Sequence, residues 1–308
     1  MRLPMWSTKI LTLLLLILTC YSSRANDQLF KEARALQREA EYDKAIEVYK
    51  TLLLQPLHDK EVTQQQIVIY SDALVQLMNT FQSKGEPEAC VTTLKEIFKA
   101  STVMQKHCLR DYYSVLGYAL SRTEKMNEAE QTTLKAFTTP LHHATPERFF
   151  RDYAYAAAVF YSNPNYQEDV IEWCQEAILQ AQLCKNTSGK QWVTAMLGSI
   201  YKRSGHINKA LTLFQQSKEE SKLRADDLGV LNSLHQLIDL FLYWDVPEYA
   251  NIYATEAINV ERGMKANNPM VSAQTYINKG RALQQLGQVD SVALYTEKAR
   301  ELCRALPY

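Results

Sequence analysis

Residues 194–217 read Thr-Ala-Met-Leu-Gly-Ser-Ile-Tyr-Lys-Arg-Ser-Gly-His-Ile-Asn-Lys-Ala-Leu-Thr-Leu-Phe-Gln-Gln-Ser. Reduced to its spacing, the stretch is Leu197-Gly198, Tyr201, Gly205, Ala210, Phe214 and Ser217. Apolar side chains recurring at helical spacing make one sticky stripe, so the pattern predicts two amphipathic helices broken at Gly205. Small residues, Gly198 and Ala210, sit where two helix axes would approach closely. Gly205 sits where the chain must turn through positive φ.

The spacing recurs outward from this window. It appears at Leu116-Gly117, Leu120, Ala129, Ala136 and Pro140, and again at Gly280, Leu283, Gly287, Val292 and Ala299. Looser copies run through Leu29, Ala33, Leu36, Tyr42, Ala45, Tyr49 and Pro56, and through Leu74, Leu77, Met78, Phe81, Gly85 and Ala89, the latter with a turn one residue short. A fourth copy uses Tyr153, Ala156, Ala157, Phe160, Tyr166, Val170, Cys174 and Ala177 with one residue inserted. A sixth uses Leu234, Leu237, Ile238, Phe241, Ala250 and Ala257. Units start near residues 26, 70, 110, 150, 191, 231 and 273, a period of about forty residues. One pair cannot bury its own apolar faces, so the expected fold is an all-α array of stacked pairs.

These residues resemble the tetratricopeptide repeat (TPR), with Leu116-Gly117, Ala129, Leu197-Gly198, Tyr201, Ala210, Phe214, Gly280 and Leu283 at its packing positions. The resemblance implies a right-handed α-α superhelix of about seven helix pairs. The period exceeds the usual ~34 residues, which predicts longer helices or longer connections.

Composition agrees. The chain has 308 residues, 46% hydrophobic, with only 9 Gly and 9 Pro, which excludes a turn-rich all-β fold. Thirty-four basic and 34 acidic side chains balance to zero net charge, so no basic face marks a nucleic-acid partner.

At the N-terminus, Arg2 and Lys9 precede the uncharged run Ile10–Cys20 and the small-x-small site Ser23-Arg24-Ala25. This is the pattern of a secretory signal peptide over residues 1–25, too short to span a bilayer. Cleavage after Ala25 and lipidation at Cys20 are alternative fates. The array then occupies residues 26–308, exported, with a periplasmic location expected. Cys90, Cys108, Cys174, Cys184 and Cys303 form no metal-binding spacing and are read as small apolar core residues.

Catalytic motifs are absent: there is no GxGxxG, GxxxxGKS/T, GxSxG or HExxH. His142-His143 reads as a loop between Pro140 and Pro146, and Glu219-Glu220 and Asp226-Asp227 as solvated ends following the fifth pair. No enzyme activity, cofactor or metal is expected. The Asn186-Thr187-Ser188 sequon and Asp290-Ser291-Val292 are short patterns with high chance frequency.

The concave face is the expected site, since the resemblance implies that the first helix of each pair lines it. Its non-packing positions carry Tyr118, Arg122, Tyr161, Trp192, Lys202, Arg203, His235, Asp239, Tyr243 and Arg281. Aromatic residues with Arg are the composition of interaction hot spots, which suits a protein or peptide ligand, including a charged one. The carboxylate clamp of cytosolic co-chaperone repeats is missing: the matching positions are Ser114, Tyr118, Ala154, Ala158, Ala195 and Ser199.

Long-period repeats behind a signal peptide also resemble periplasmic sensory domains of membrane regulators in Bacteroidetes-like bacteria. An envelope assembly or secretion-complex subunit is the alternative, and an enzyme with a non-motif site the minor one. Leu302, Cys303 and Leu306 at the last helix lead to the expectation of a partner or further domain covering that end.

Overall fold

A computed structural model describes residues 25–55, 62–264 and 269–304. The signal-peptide residues 1–24, with Cys20, lie outside the described residues, as do Pro56, His58 and Leu306. Every regular element among the described residues is helical. No helix there is long and apolar enough to cross a membrane.

The chain divides into two compact units between Tyr166 and Gln167. The first contains α1 (residues 25–38), α2 (Tyr42–Leu53), α3 (Gln64–Lys84), α4 (Pro87–Ala100), α5 (Thr102–His107), α6 (Leu109–Ser121), α7 (Met126–Thr138) and α8 (Pro146–Phe160). The second contains α9 (Gln167–Leu183), α10 (Thr187–Arg203), α11 (Ile207–Leu223), α12 (Asp227–Tyr243), α13 (Pro247–Gly263), α14 (Pro269–Gln285) and α15 (Val289–Arg304).

The long period has a simple origin. Helices α9 to α13 are each 17 residues long. They begin at residues 167, 187, 207, 227 and 247, one every 20 residues. Two such helices and their three-residue turns make forty residues. The helices are lengthened, and the connections stay short.

The turns repeat one geometry. Gly205 has φ +74°, its N–H donates to the Lys202 carbonyl at 3.1 Å, and the next N–H, His206, reaches back to Tyr201 at 2.8 Å. Both bonds satisfy carbonyls that a helix end would leave bare. Gly85 and Gly287 do the same. So do Ala40, Lys185, Ala225 and Asp245, all with φ between 52° and 59°, although an L side chain resists that conformation. Only the glycine versions are visible as turn signals in the sequence.

Five residues after five of these seven turn residues a small or apolar side chain enters the core: Ala45, Cys90, Ala210, Val230 and Ala250 are buried, whereas Lys190 and Val292, at the same distance from Lys185 and Gly287, are half-buried. The second pair therefore has no shortened turn. Cys90 fills the packing position and Ala89 is exposed, because the spacing runs from Gly85. The extra residues in the fourth pair form a short 3₁₀ turn, Pro164–Tyr166.

Close helix approach is confirmed at two glycines and not at the third. A Cβ on Gly117 would stand 2.2 Å from Thr133 Oγ1, and one on Gly198 2.3 Å from Phe214 Cε1. At Gly280 the nearest atom, Thr296 Oγ1, is 3.9 Å away, so that crossing has room for a methyl group. The other packing positions, Leu116, Ala129, Leu197, Tyr201, Ala210, Phe214 and Leu283, are buried.

Two further expectations change. Cys90, Cys108 and Cys174 are buried apolar fillers, but Cys184 is half-buried and Cys303 is exposed on α15. Glu219 and Glu220 lie within the last turns of α11 rather than beyond it, and Glu220 pairs with Lys190 at 2.7 Å. Asp226 is the N-cap of α12, where its carboxylate accepts the Gly229 N–H at 2.9 Å.

Candidate functional site

In the first unit the inner helix surface is closed by its own charges. Arg148, 2% exposed, grips the Asp111 carboxylate with two nitrogens, one bond being 2.9 Å, and also donates to the carbonyls of His142 and His143. That explains the His142-His143 loop: its carbonyls hold a buried guanidinium. Arg151 spans Asp72 (2.5 Å) and Ser71 (2.6 Å), and Ser71 donates to Asp111 at 2.5 Å. Arg110 donates to Asp152 at 2.6 Å, and Ser114 donates to the other oxygen of that carboxylate. Burial pushes the Asp152 carboxyl above its ordinary value, outweighing the opposing pull of Arg110. Tyr118 stacks on Tyr155 with centroids 4.6 Å apart. Arg122 and Tyr161 are the C-cap residues of α6 and α8. These three expected site residues stand at separate places on α6 and α8.

The second unit is different. A cavity of about 670 Å³ opens between α10, α11, α12 and α14. Volumes of 300–1,000 Å³ are typical of sites that engulf a small ligand. Trp192 and Ala195 supply the α10 wall, with Phe214 and Ser217 from α11 behind them. On α12, Asn232, His235, Gln236 and Asp239 follow at i, i+3, i+4 and i+7, the spacing of one helix face. Gln274 and Asn278 repeat the i, i+4 relation on α14.

Glycine makes the upper edge possible. A Cβ on Gly229 would stand 2.3 Å from Asp226 Oδ2, 2.5 Å from Gln191 Nε2 and 2.7 Å from Ser221 Oγ. Without one, the Gln191 amide closes onto Ser221 (2.5 Å) and Asp226 (3.2 Å), tying α10 to the start of α12.

At the opposite edge one carboxylate joins three repeats. Asp239 accepts from Lys202 of α10 at 2.7 Å through one oxygen and from Arg281 of α14 at 3.0 Å through the other. Burial alone would raise the Asp239 carboxyl, but Lys202 and Arg281 outweigh it and hold it below the usual range. Lys202 also lies 5.7 Å above the Tyr243 ring. Trp192, Lys202, His235, Asp239, Tyr243 and Arg281 are thus brought together around or beside one cavity. Arg203 stands exposed in the last turn of α10 and does not line it.

His235 is the electrostatically unusual member. Burial pushes its imidazole pKa down to about 4, so the ring is neutral near pH 7, and its Nε2 lies 2.9 Å from Thr275 Oγ1.

The amides Asn232, Gln236, Gln274 and Asn278 are absent from the sequence expectation, which sought aromatic and basic residues. Their signal was available: Asn232/Gln236 and Gln274/Asn278 are polar i, i+4 pairs 42 residues apart on successive first helices.

No protein-family model matches the sequence, and no curated protein matches it. The fold has solved counterparts. A Rap protein in complex with competence and sporulation factor superposes with a TM-score of 0.62 at 12% identity, over 92% of this chain and 77% of that one. The apo quorum sensor NprR from B. thuringiensis gives 0.58 at 12% identity, over 91% and 76%. A signal-transduction ATPase with a tetratricopeptide repeat sensor from Pyrococcus horikoshii gives 0.61 at 15% identity, over 85% of this chain but 38% of that protein. At such identities the likeness is one of architecture: the chain has the fold of tetratricopeptide-like helical repeat proteins.

Proposed function

We propose that the protein is a non-catalytic binding scaffold whose second unit holds a peptide, or an extended segment of a partner protein, in the cavity between α10, α12 and α14. The observation that carries this reading is the cavity itself: first helices of three successive repeats turn side-chain amides, a tryptophan and a neutral histidine onto one void of about 670 Å³. An extended chain offers alternating N–H and C=O groups that such amides can match. No nucleic acid is proposed, since the surface that lines the cavity is neutral to acidic.

We further propose export to the periplasm, a reading supported by the signal-peptide pattern over residues 1–25. A sensory role in the envelope is the finer reading, supported by the fold shared with a quorum sensor and with a protein solved with a bound factor. Site-specific photocrosslinking tests the proposal. A benzophenone amino acid at Ala195 should capture a peptide ligand in the native host, and one at Arg122 should not. Capture at both positions alike, or at Arg122 alone, would remove the cavity from the account.

A further inference from the structure

We infer that the cavity selects peptide segments with free backbone N–H groups and no acidic side chains, and that His235 is the hydrogen-bond acceptor that reads them. This rests on the peptide reading above and specifies its ligand class.

The tautomer is part of the inference: the Thr275 hydroxyl faces both the Val271 carbonyl and the His235 ring, and its single proton can serve only one of them. The Thr275 hydroxyl has one proton, which it donates to the Val271 carbonyl at 3.1 Å. With the proton so placed, Thr275 accepts from the His235 ring nitrogen 2.9 Å away. The ring hydrogen is on Nε2, and Nδ1 keeps its lone pair. A neighbouring carboxylate could have made the imidazole a cation, but the depression of its pKa to about 4 comes from burial alone. His235 therefore meets a ligand as a neutral acceptor, and the group it satisfies must bring a proton.

The charges on the wall point the same way. Among the described residues that line the cavity, the charged ones are Asp226 and Asp239, with no lysine or arginine. Both Asp239 oxygens are taken by Lys202 and Arg281. Asp226 is held by the Gly229 N–H and the Gln191 amide, and its nearest cation, Arg224, is 4.0 Å away. An entering carboxylate would find no lysine or arginine in the wall, the cations at its edge being spent on Asp239, and would lose its hydration without replacement. Gln274 adds a second acceptor: its amide nitrogen donates to Asn278 at 3.0 Å, which leaves its carbonyl for the ligand. The expectation of a charged peptide on a mixed-charge groove is thereby narrowed to neutral or basic segments.

The test uses the full chain and three matched libraries of acetylated, amidated hexapeptides: neutral, backbone N-methylated, and neutral with one Asp or Glu. Affinity selection with mass-spectrometric readout should enrich members of the first library, with the other two bound at least threefold more weakly, the loss expected for one hydrogen bond. His235→Phe should lower binding of a selected hexapeptide roughly three- to tenfold, with His235→Gln, which keeps an acceptor, recovering part of it. Imidazole ¹⁵N spectra provide a second reading that needs no variant: Nδ1 should be unprotonated at pH 7 and should shift when the selected hexapeptide binds. Equal binding of N-methylated or acidic hexapeptides, or an unmoved Nδ1, would overturn the inference and leave the peptide reading standing. Failure of every library would overturn the peptide reading and the inference together.

Discussion

Acid should weaken the fold through His235 in a measurable and assignable way. The ring's pKa is about 4 in the folded protein against 6.5 for an ordinary histidine. Above pH 6.5 both folded and unfolded chains carry the neutral ring, and it contributes no pH dependence. As the pH falls from 6.5 toward 4, the unfolded chain takes up the proton first, so folding stability declines over that window. At about 1.4 kcal/mol per pH unit the full loss is about 3.5 kcal/mol, of which about 2.5 kcal/mol should be expressed by pH 4.5. His107, whose pKa burial also lowers, adds in the same direction. Asp239 and Glu256, held below the usual carboxylate range, lose stability at lower pH still. Comparison with His235→Gln isolates the ring, because every other group is common to both proteins. Urea unfolding followed by circular dichroism at half-unit steps from pH 7.5 to 4.5 provides the curves. The wild-type curve should fall more steeply than the variant's by about 2.5 kcal/mol over the range. Parallel curves would show that the ring is solvated, and would refute the lowering of its pKa by burial.

Three other perturbations bear on the packing and the site. Gly198→Ala forces a Cβ to within 2.3 Å of the Phe214 ring and should cost about 1–3 kcal/mol in unfolding free energy. Gly280→Ala, with 3.9 Å of clearance, should be neutral or stabilising by up to about 1 kcal/mol; the reverse order would show that the two crossings have been misread. Arg148→Met leaves Asp111 buried without its guanidinium and should destabilise the first unit by roughly 3–5 kcal/mol by denaturant titration, and a loss under 1 kcal/mol would contradict the buried network. Trp192→Ala should weaken hexapeptide binding in a fluorescence titration while leaving the helical circular-dichroism signal intact, since Trp192 is 37% exposed; unfolding of the variant would place the residue in the core instead.

The fold was legible because its signal is repetitive and local. Leu197-Gly198, Tyr201, Ala210 and Phe214 each state a packing requirement, and recurrence of the pattern multiplies its weight. Turn chemistry was legible only where glycine marks it. Ala40, Lys185, Ala225 and Asp245 adopt the same left-handed geometry because tertiary packing overrides their preference, and nothing in those residue types announces it. The register of the second pair was misplaced by one, at Ala89 instead of Cys90, although Gly85 marks that turn, because the buried position lies five residues beyond the glycine, not four.

The site was half legible. Trp192, His235 and Asp239 were singled out from residue type and helix face, and all three line one cavity. The amides were passed over because uncharged polar residues on a helix look like ordinary solvated surface until a void is seen beside them. The charge network of the first unit was not legible either. Asp72, Asp111, Arg148 and Arg151 come from three helices, and their mutual neutralisation depends on an arrangement that no local pattern encodes.

Hydrogen–deuterium exchange of the full chain with and without a selected neutral hexapeptide tests the central claim most directly, because it reports both units in one measurement. The account predicts slowed exchange over residues 188–239 and 274–278, with residues 71–152 unchanged. Protection confined to residues 71–152, or absent from α10, α12 and α14 despite binding, would contradict it.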